Sequence, residues 1–271
     1  MKSEAWSRIS IPVSGTVSEI LALDLAGQIA AAFSAQLNVL FTPPDPAELA
    51  PWLGEGFMGT VQMSTMESLK QAADESELTA RSQFGAVPYP EKTFTALESP
   101  VWQDLALETR LSDLMVFSDT SAKGQGMLSE AFQQVMMEER AGVFIARRAF
   151  NIGGTAIVAW DGKEPSSRAA RRAVPLLKKA AKVVVVGAPT GDAPADLGRL
   201  AAYYAGHGLT VEVETLAKGD VVALLTEATE RHQADYMVAG AFGRSRVREF
   251  VFGGTTRALL QNTQINLYMA H

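Results

Sequence analysis

The chain contains the same unit twice. Arg8-Ile9-Ser10-Ile11-Pro12-Val13-Ser14-Gly15, a short apolar run ending in a turn, returns as Thr155-Ala156-Ile157-Val158-Ala159-Trp160-Asp161-Gly162. Ser112-Asp113-Leu114-Met115-Val116-Phe117-Ser118 returns as Ala234-Asp235-Tyr236-Met237-Val238-Ala239-Gly240. These landmarks lie about 25 residues further apart in the first copy. A unit that fits twice into 271 residues must be a small domain with its own core.

Each copy alternates strand and helix. In the second, strands are expected near 155–160, 183–186, 209–215, 235–239 and 265–270, with helices near 164–180, 194–206, 219–233 and 254–262. Val183 to Val186 is continuously apolar, as in a strand covered on both faces. Ala169, Ala170, Ala173, Val174 and Leu177 share one helical face. The first copy has strands near 7–13, 36–41, 91–95, 113–117 and 142–146. Its extra length sits at 42–59, rich in Pro and Gly and read as a loop, before a helix of about 25 residues. Such alternation predicts an α/β fold of two tandem, doubly wound parallel domains, 1–149 and 154–271.

Composition narrows the function. There is no Cys, so disulfides, thiol nucleophiles and Cys-based metal sites are excluded, and three His carry no ligand spacing. The first 150 residues hold 10 Lys and Arg against 19 Asp and Glu, the rest 14 against 11, giving −9 and +3 within the net −6. This argues against wide nucleic-acid binding but allows a small anion in the second half. No apolar run reaches the roughly 18–20 residues of a membrane span. The opening Met1 to Trp6 lacks a signal peptide's apolar core, so the expected location is cytoplasmic.

The segment 240–257 carries the most chemistry. It runs from the end of the fourth strand of the second copy to the start of the last helix. Gly240 and Gly243 allow a backbone path that a side chain would block. Gly253 and Gly254 precede or open the helix, where free N–H groups and the dipole favour an anion. Thr255 adds a hydroxyl donor and Arg244 a charge. Asp161 follows the first strand, which this topology sets beside the fourth at the switch point where ligands bind. There a carboxylate can take ribose hydroxyls or hold Mg²⁺ against phosphates.

The spacing G-x2-G-x9-G, with Trp160-Asp161-Gly162 after the opening strand, resembles the nucleotide-binding signature of universal stress proteins. The strand and helix order is similar along the whole chain. The resemblance implies a five-stranded parallel sheet per domain, Rossmann-like and of the adenine nucleotide alpha hydrolase type. It implies ATP or ADP, with Mg²⁺ at Asp161, as the ligand. Ala159 and Gly187 would border the adenine, and Gly240 the ribose. Gly243, Gly253, Gly254 and Thr255 would cradle the phosphates. Gly254 stands where the signature has Ser or Thr. The last strands of two such domains would pair, here within one chain, with a homodimer as a further association.

The first copy departs from the signature. Ser14 replaces Asp161, Phe117-Ser118-Asp119-Thr120-Ser121 replaces the opening glycine, and Met127 to Glu139 reads as the last helix with no glycine pair before it. Asp119 is expected to repel phosphate, so nucleotide binding is expected in the second copy alone. Arg168, Arg171, Arg172, Lys178, Lys179 and Lys182 form a basic cluster with the spacing of a solvated helix face. Trp52 and Phe57 are expected to pack back from the insertion. Three functional classes follow: a nucleotide-binding stress-response regulator acting on a protein partner, a slow ATPase using Glu249, or a ligand-free scaffold.

Overall fold

A computed structural model describes residues 6–43, 59–98, 100–187, 196–241 and 254–271. The first half runs β1 (Arg8–Val13), a 3₁₀ turn (Val17–Glu19), α1 (Ile20–Phe33), β2 (Gln36–Phe41), α2 (Gly59–Ala86), β3 (Lys92–Ala96), α3 (Val101–Arg110), β4 (Leu114–Ser118), α4 (Asp119–Ala122), α5 (Ser129–Met137) and β5 (Val143–Ala146). The second runs β6 (Thr155–Ala159), α6 (Glu164–Arg172), α7 (Val174–Leu177), β7 (Lys182–Gly187), α8 (Leu197–Gly206), β8 (Glu212–Thr215), α9 (Val221–Arg231), β9 (Tyr236–Gly240), α10 (Gly254–Asn262) and β10 (Asn266–Ala270).

All strands join one ten-stranded sheet in the order β3-β2-β1-β4-β5-β10-β9-β6-β7-β8. Each half contributes five parallel strands. The halves meet antiparallel, β10 against β5, with Tyr268 opposite Phe144. Pairing the two last strands removes both edges there, where exposed N–H and C=O groups would otherwise invite foreign strands.

Alternation along each strand sends side chains to two separate apolar layers. Ile9, Ile11, Leu37, Val39, Val158, Val185 and Tyr268 face the layer that holds α1, α6 and α8. Met115, Phe117, Ile145, Ile157, Val184, Met237 and Leu267 face the layer of α3, α5, α9 and α10. Both layers continue across the joint, so the two halves share their cores.

Several boundaries differ from the sequence expectation. The helix expected over 164–180 breaks after Arg172 into α6 and α7. Pro175 is the reason: it has no N–H, and its ring crowds the carbonyl four residues earlier. Strand β8 begins three residues later than expected, because Leu209 is tied to the end of α8 by its N–H to Tyr204 O at 3.0 Å. The last helix of the first half is shorter than Met127 to Glu139, spanning only Ser129–Met137. Trp52, Phe57 and most of the insertion lie outside the described residues. Among the described residues no helix is long and apolar enough to cross a membrane.

Polar contacts lock the joint. Asn266 Oδ1 accepts from the N–H of Arg147 at 2.7 Å and of Arg148 at 3.1 Å, while its Nδ2 donates to Asp235 O at 3.1 Å. Arg147, with a side chain only 1% exposed, reaches across from the first half. It donates to Leu259 O at 3.1 Å, Leu260 O at 2.5 Å, Thr263 O at 2.9 Å and the Thr263 hydroxyl, so it caps the last turn of α10. A cation there also complements the helix dipole. Burial lowers the Arg147 pKa from its usual value, and the carboxylate of Asp119, 2.7 Å away, opposes that. Asp119 also pairs with Lys123 at 2.6 Å. This corrects the expectation that Asp119 faces a pocket as a repelling charge: two cations already neutralise it.

Arg147→Ala is expected to destabilise the protein by about 3 kcal/mol, since it orphans helix-end carbonyls and strands a carboxylate. Urea unfolding measures this. A loss within about 0.5 kcal/mol, typical of a neutral surface change, would refute the clamp.

Candidate functional site

Strands β6 and β9 run side by side in parallel, with Val158 opposite Val238, so their carboxyl ends open onto one crevice. Helix α10 links β9 to its parallel neighbour β10 and must therefore run against them. Its N-terminus lies at the same carboxyl edge, where the first-turn N–H groups have no partner within the helix.

Asp161 lies two residues past β6 and is 47% exposed at its side chain. Its Oδ1 accepts from Ser166 Oγ at 2.6 Å and from the Lys163 N–H at 3.0 Å. Its Oδ2 lies 3.4 Å from the Lys163 ammonium. Partial burial pushes this carboxyl up, but the hydrogen bonds from Ser166 and Lys163 outweigh it and hold the pKa below the ordinary 3.8. The group is thus a carboxylate at neutral pH. The stability it contributes is present above 3.8 and drains as pH falls through the lower folded value. One oxygen is committed to shaping the start of α6, and the other pairs with the exposed Lys163 ammonium.

Gly240 ends β9 and has a packing reason to be glycine. A Cβ there would stand 2.4 Å from Ser166 N and 2.5 Å from Pro165 C. The first turn of α6 therefore lies directly on the end of β9. Ser166, which the sequence reading did not single out, links the two predicted site residues: it bonds Asp161 and abuts Gly240. An Asp followed five residues later by Ser at a helix start carries that signal, since both types favour helix N-termini.

The remaining positions divide into two groups. Ala159 ends β6 half-buried, and Gly187 ends β7 buried, its carbonyl taken by the Leu216 N–H at 2.9 Å. Gly254 and Thr255 open α10 and are exposed; among the described residues nothing lies within 4 Å of where a Gly254 Cβ would be. Gly243, Arg244, Gly253 and Glu249 lie outside the described residues. Among the described residues no three His, Asp or Glu side chains gather as a metal site.

The matching turn of the first half is built differently. Glu19, 3% exposed, accepts from the N–H groups of Ser14 at 2.9 Å, Gly15 at 3.1 Å and Thr16 at 3.2 Å, and from Ser14 Oγ at 2.6 Å. The chain's own carboxylate thus saturates the donors after β1. Gly15 adopts φ +83°, and a Cβ there would meet Ser76 O of α2 at 2.3 Å. Helix α2 lies against this turn and covers it. His207 and His232 lie at the C-terminal ends of α8 and α9.

Gly240→Ala is expected to cost about 2 kcal/mol, because backbone must shift. Gly254→Ala is expected to stay within about 0.5 kcal/mol of the parent. Comparing their urea midpoints tests the two environments, and equal midpoints would contradict this geometry.

Comparison with known proteins agrees with this architecture. The universal stress protein family matches residues 154–271. A universal stress protein from Archaeoglobus fulgidus DSM 4304 superposes with a TM-score of 0.66 over 97% of this chain and 95% of its own, at 15% identity. A functionally unknown protein from Pseudomonas aeruginosa PAO1 superposes with a TM-score of 0.56 over 97% and 92%, also at 15% identity. Likeness at such identity speaks for the fold alone. No curated protein matches the sequence. Residues 154–271 are thus similar to the universal stress protein family, and they sit in one sheet with a first half of the same strand order.

Proposed function

We propose that the second half, taken as the domain 154–271, binds an adenine nucleotide and that the protein acts as a non-catalytic, nucleotide-dependent regulator. The observation that carries this reading is the open N-terminus of α10 at the carboxyl edge shared by β6 and β9. Phosphates would meet the N–H groups and hydroxyl of Gly254 and Thr255, joined by Gly243, Arg244 and Gly253. The adenine would lie near Ala159 and Gly187. Asp161 would use the oxygen paired only with the Lys163 ammonium for the ribose or for phosphate-bound Mg²⁺, which would neutralise phosphate charge. Gly240 would contribute backbone only, because its other side is filled by α6.

The domain 1–149 is proposed not to bind. Glu19 holds the donors after β1, and α2 covers the turn. Its part would be to transmit the bound state to a protein partner. Arg147 gives a physical route, since it grips the far end of the helix whose start would hold phosphate.

The test is to purify the protein without added nucleotide, identify by chromatography what denaturation releases, and titrate ATP with Mg²⁺ calorimetrically. One ATP site that adenosine competes for is expected per chain, weakened about tenfold or more by Asp161→Ala, the scale of one hydrogen bond to a charged group. Two sites per chain that adenosine competes for would overturn the closed first half. No released nucleotide and no heat would favour a ligand-free scaffold.

A further inference from the structure

A second opening lies on the α1 and α6 face of the sheet, apart from the carboxyl edge of β6 and β9. It is a cleft of about 1430 Å³ between the two halves. Tyr268 of the joint strand β10 lines it, flanked by Gly142, whose Cβ would stand 2.7 Å from the tyrosine hydroxyl. The end of α3 and the turn after α5 form one wall, and α6 with α7 form the other. Arg172 ties the walls together by donating to Arg140 O.

Its charge is unlike that of the acidic chain around it. Six Arg and Lys line the cleft against two carboxylates. Both carboxylates are engaged: Glu139 binds Arg110 at 2.7 Å, and Asp113 accepts from the N–H groups of Ser7 at 2.6 Å and Arg8 at 3.0 Å. Arg140, Arg171 and Lys178 are exposed and have no ion-pair partner among the described residues. Uncompensated cations converging from two walls raise the local potential for an anion.

An unpaired hydroxyl gives an independent sign. Thr109 lines the cleft, is 2% exposed, and its Oγ1 has no hydrogen-bond partner among the described residues. Tyr268, a buried side chain, also lines the cleft. Buried polar atoms without partners are rare in native proteins and call for an explanation. A bound acceptor supplies one.

We propose that this interdomain cleft binds a small molecule bearing two or more phosphate groups, held by Arg140, Arg171 and Lys178 with Thr109 and Tyr268 donating from below. Arginine forks match phosphate oxygens in pairs, and hydroxyls donate to the same acceptors. Charges on opposite walls favour an anion long enough to touch both. Such a ligand would also bridge the halves and hold them at a fixed angle. This site is independent of the proposed nucleotide site.

Inorganic triphosphate is the probe, titrated by calorimetry into the full chain at physiological ionic strength. Saturable binding of one triphosphate per chain is expected. The Arg171→Ala/Lys178→Ala double variant should weaken it about tenfold or more, as loss of charge-assisted bonds implies. Thr109→Val should weaken it too while leaving the unfolding midpoint equal or higher, because the free protein loses only an unpaired hydroxyl. Gly254→Asp, which places a charge at α10 where a side chain has room, should leave it unchanged. Binding lost in Gly254→Asp but kept in the double variant would overturn the proposal by moving the probe to α10. Heat that never saturates, or equal affinity in parent and double variant, would overturn it as diffuse surface charge.

Discussion

Everything in this protein hangs on the antiparallel pairing of β5 with β10. Two five-stranded parallel sheets each end in an edge strand, and each edge satisfies the other. The pairing merges two cores into two continuous layers and places Tyr268 on the floor of the space between the halves. It also brings the chain after β5 against the end of α10, which is how Arg147 comes to cap a helix more than a hundred residues away. The halves are coupled by hydrogen bonds to a buried charge as well as by apolar contact.

The repeated turn after the first strand shows how one motif diverges. In both halves a carboxylate organises the backbone that follows the strand. Asp161 spends one oxygen on Ser166 and the Lys163 N–H and leaves the other paired only with the exposed Lys163 ammonium. Glu19 turns inward and spends both oxygens on the chain itself. A nearly open carboxylate can serve a ligand, whereas a saturated, buried one serves the fold. The overlying helix α2, lengthened in the first half, completes that closure.

The eight inner strands were readable because both faces of the sheet are covered there, so each is a dense apolar run; the edge strands β3 and β8 are largely exposed, and β8 begins three residues later than its pattern suggested. The helices were less so. Pro175 split one of them, a signal present in the residues but masked by the apolar face that continues across the break. At the site, Gly240 was legible as a glycine that matters, yet its reason was not: the contact that forbids a side chain comes from Pro165 and Ser166, far off in sequence. Asp119 carried the opposite lesson. Its charge was visible, but the two cations that neutralise it arrive through α4 and through the joint.

By itself, the sequence determined the repeat, the parallel α/β architecture, the absence of thiol chemistry and the location of the glycine and carboxylate positions at strand ends. These follow from periodicity and residue type, which act over a few residues. Tertiary structure alone decided that Arg147 clamps α10, that Glu19 closes the first turn, and that a basic surface on α6 becomes one wall of a cleft. The residues that seemed a solvated helix face gain their meaning from the opposite wall, which the chain supplies more than thirty residues earlier, at Arg140. Local pattern reveals which way a side chain points, and only the packing of distant elements reveals what it meets.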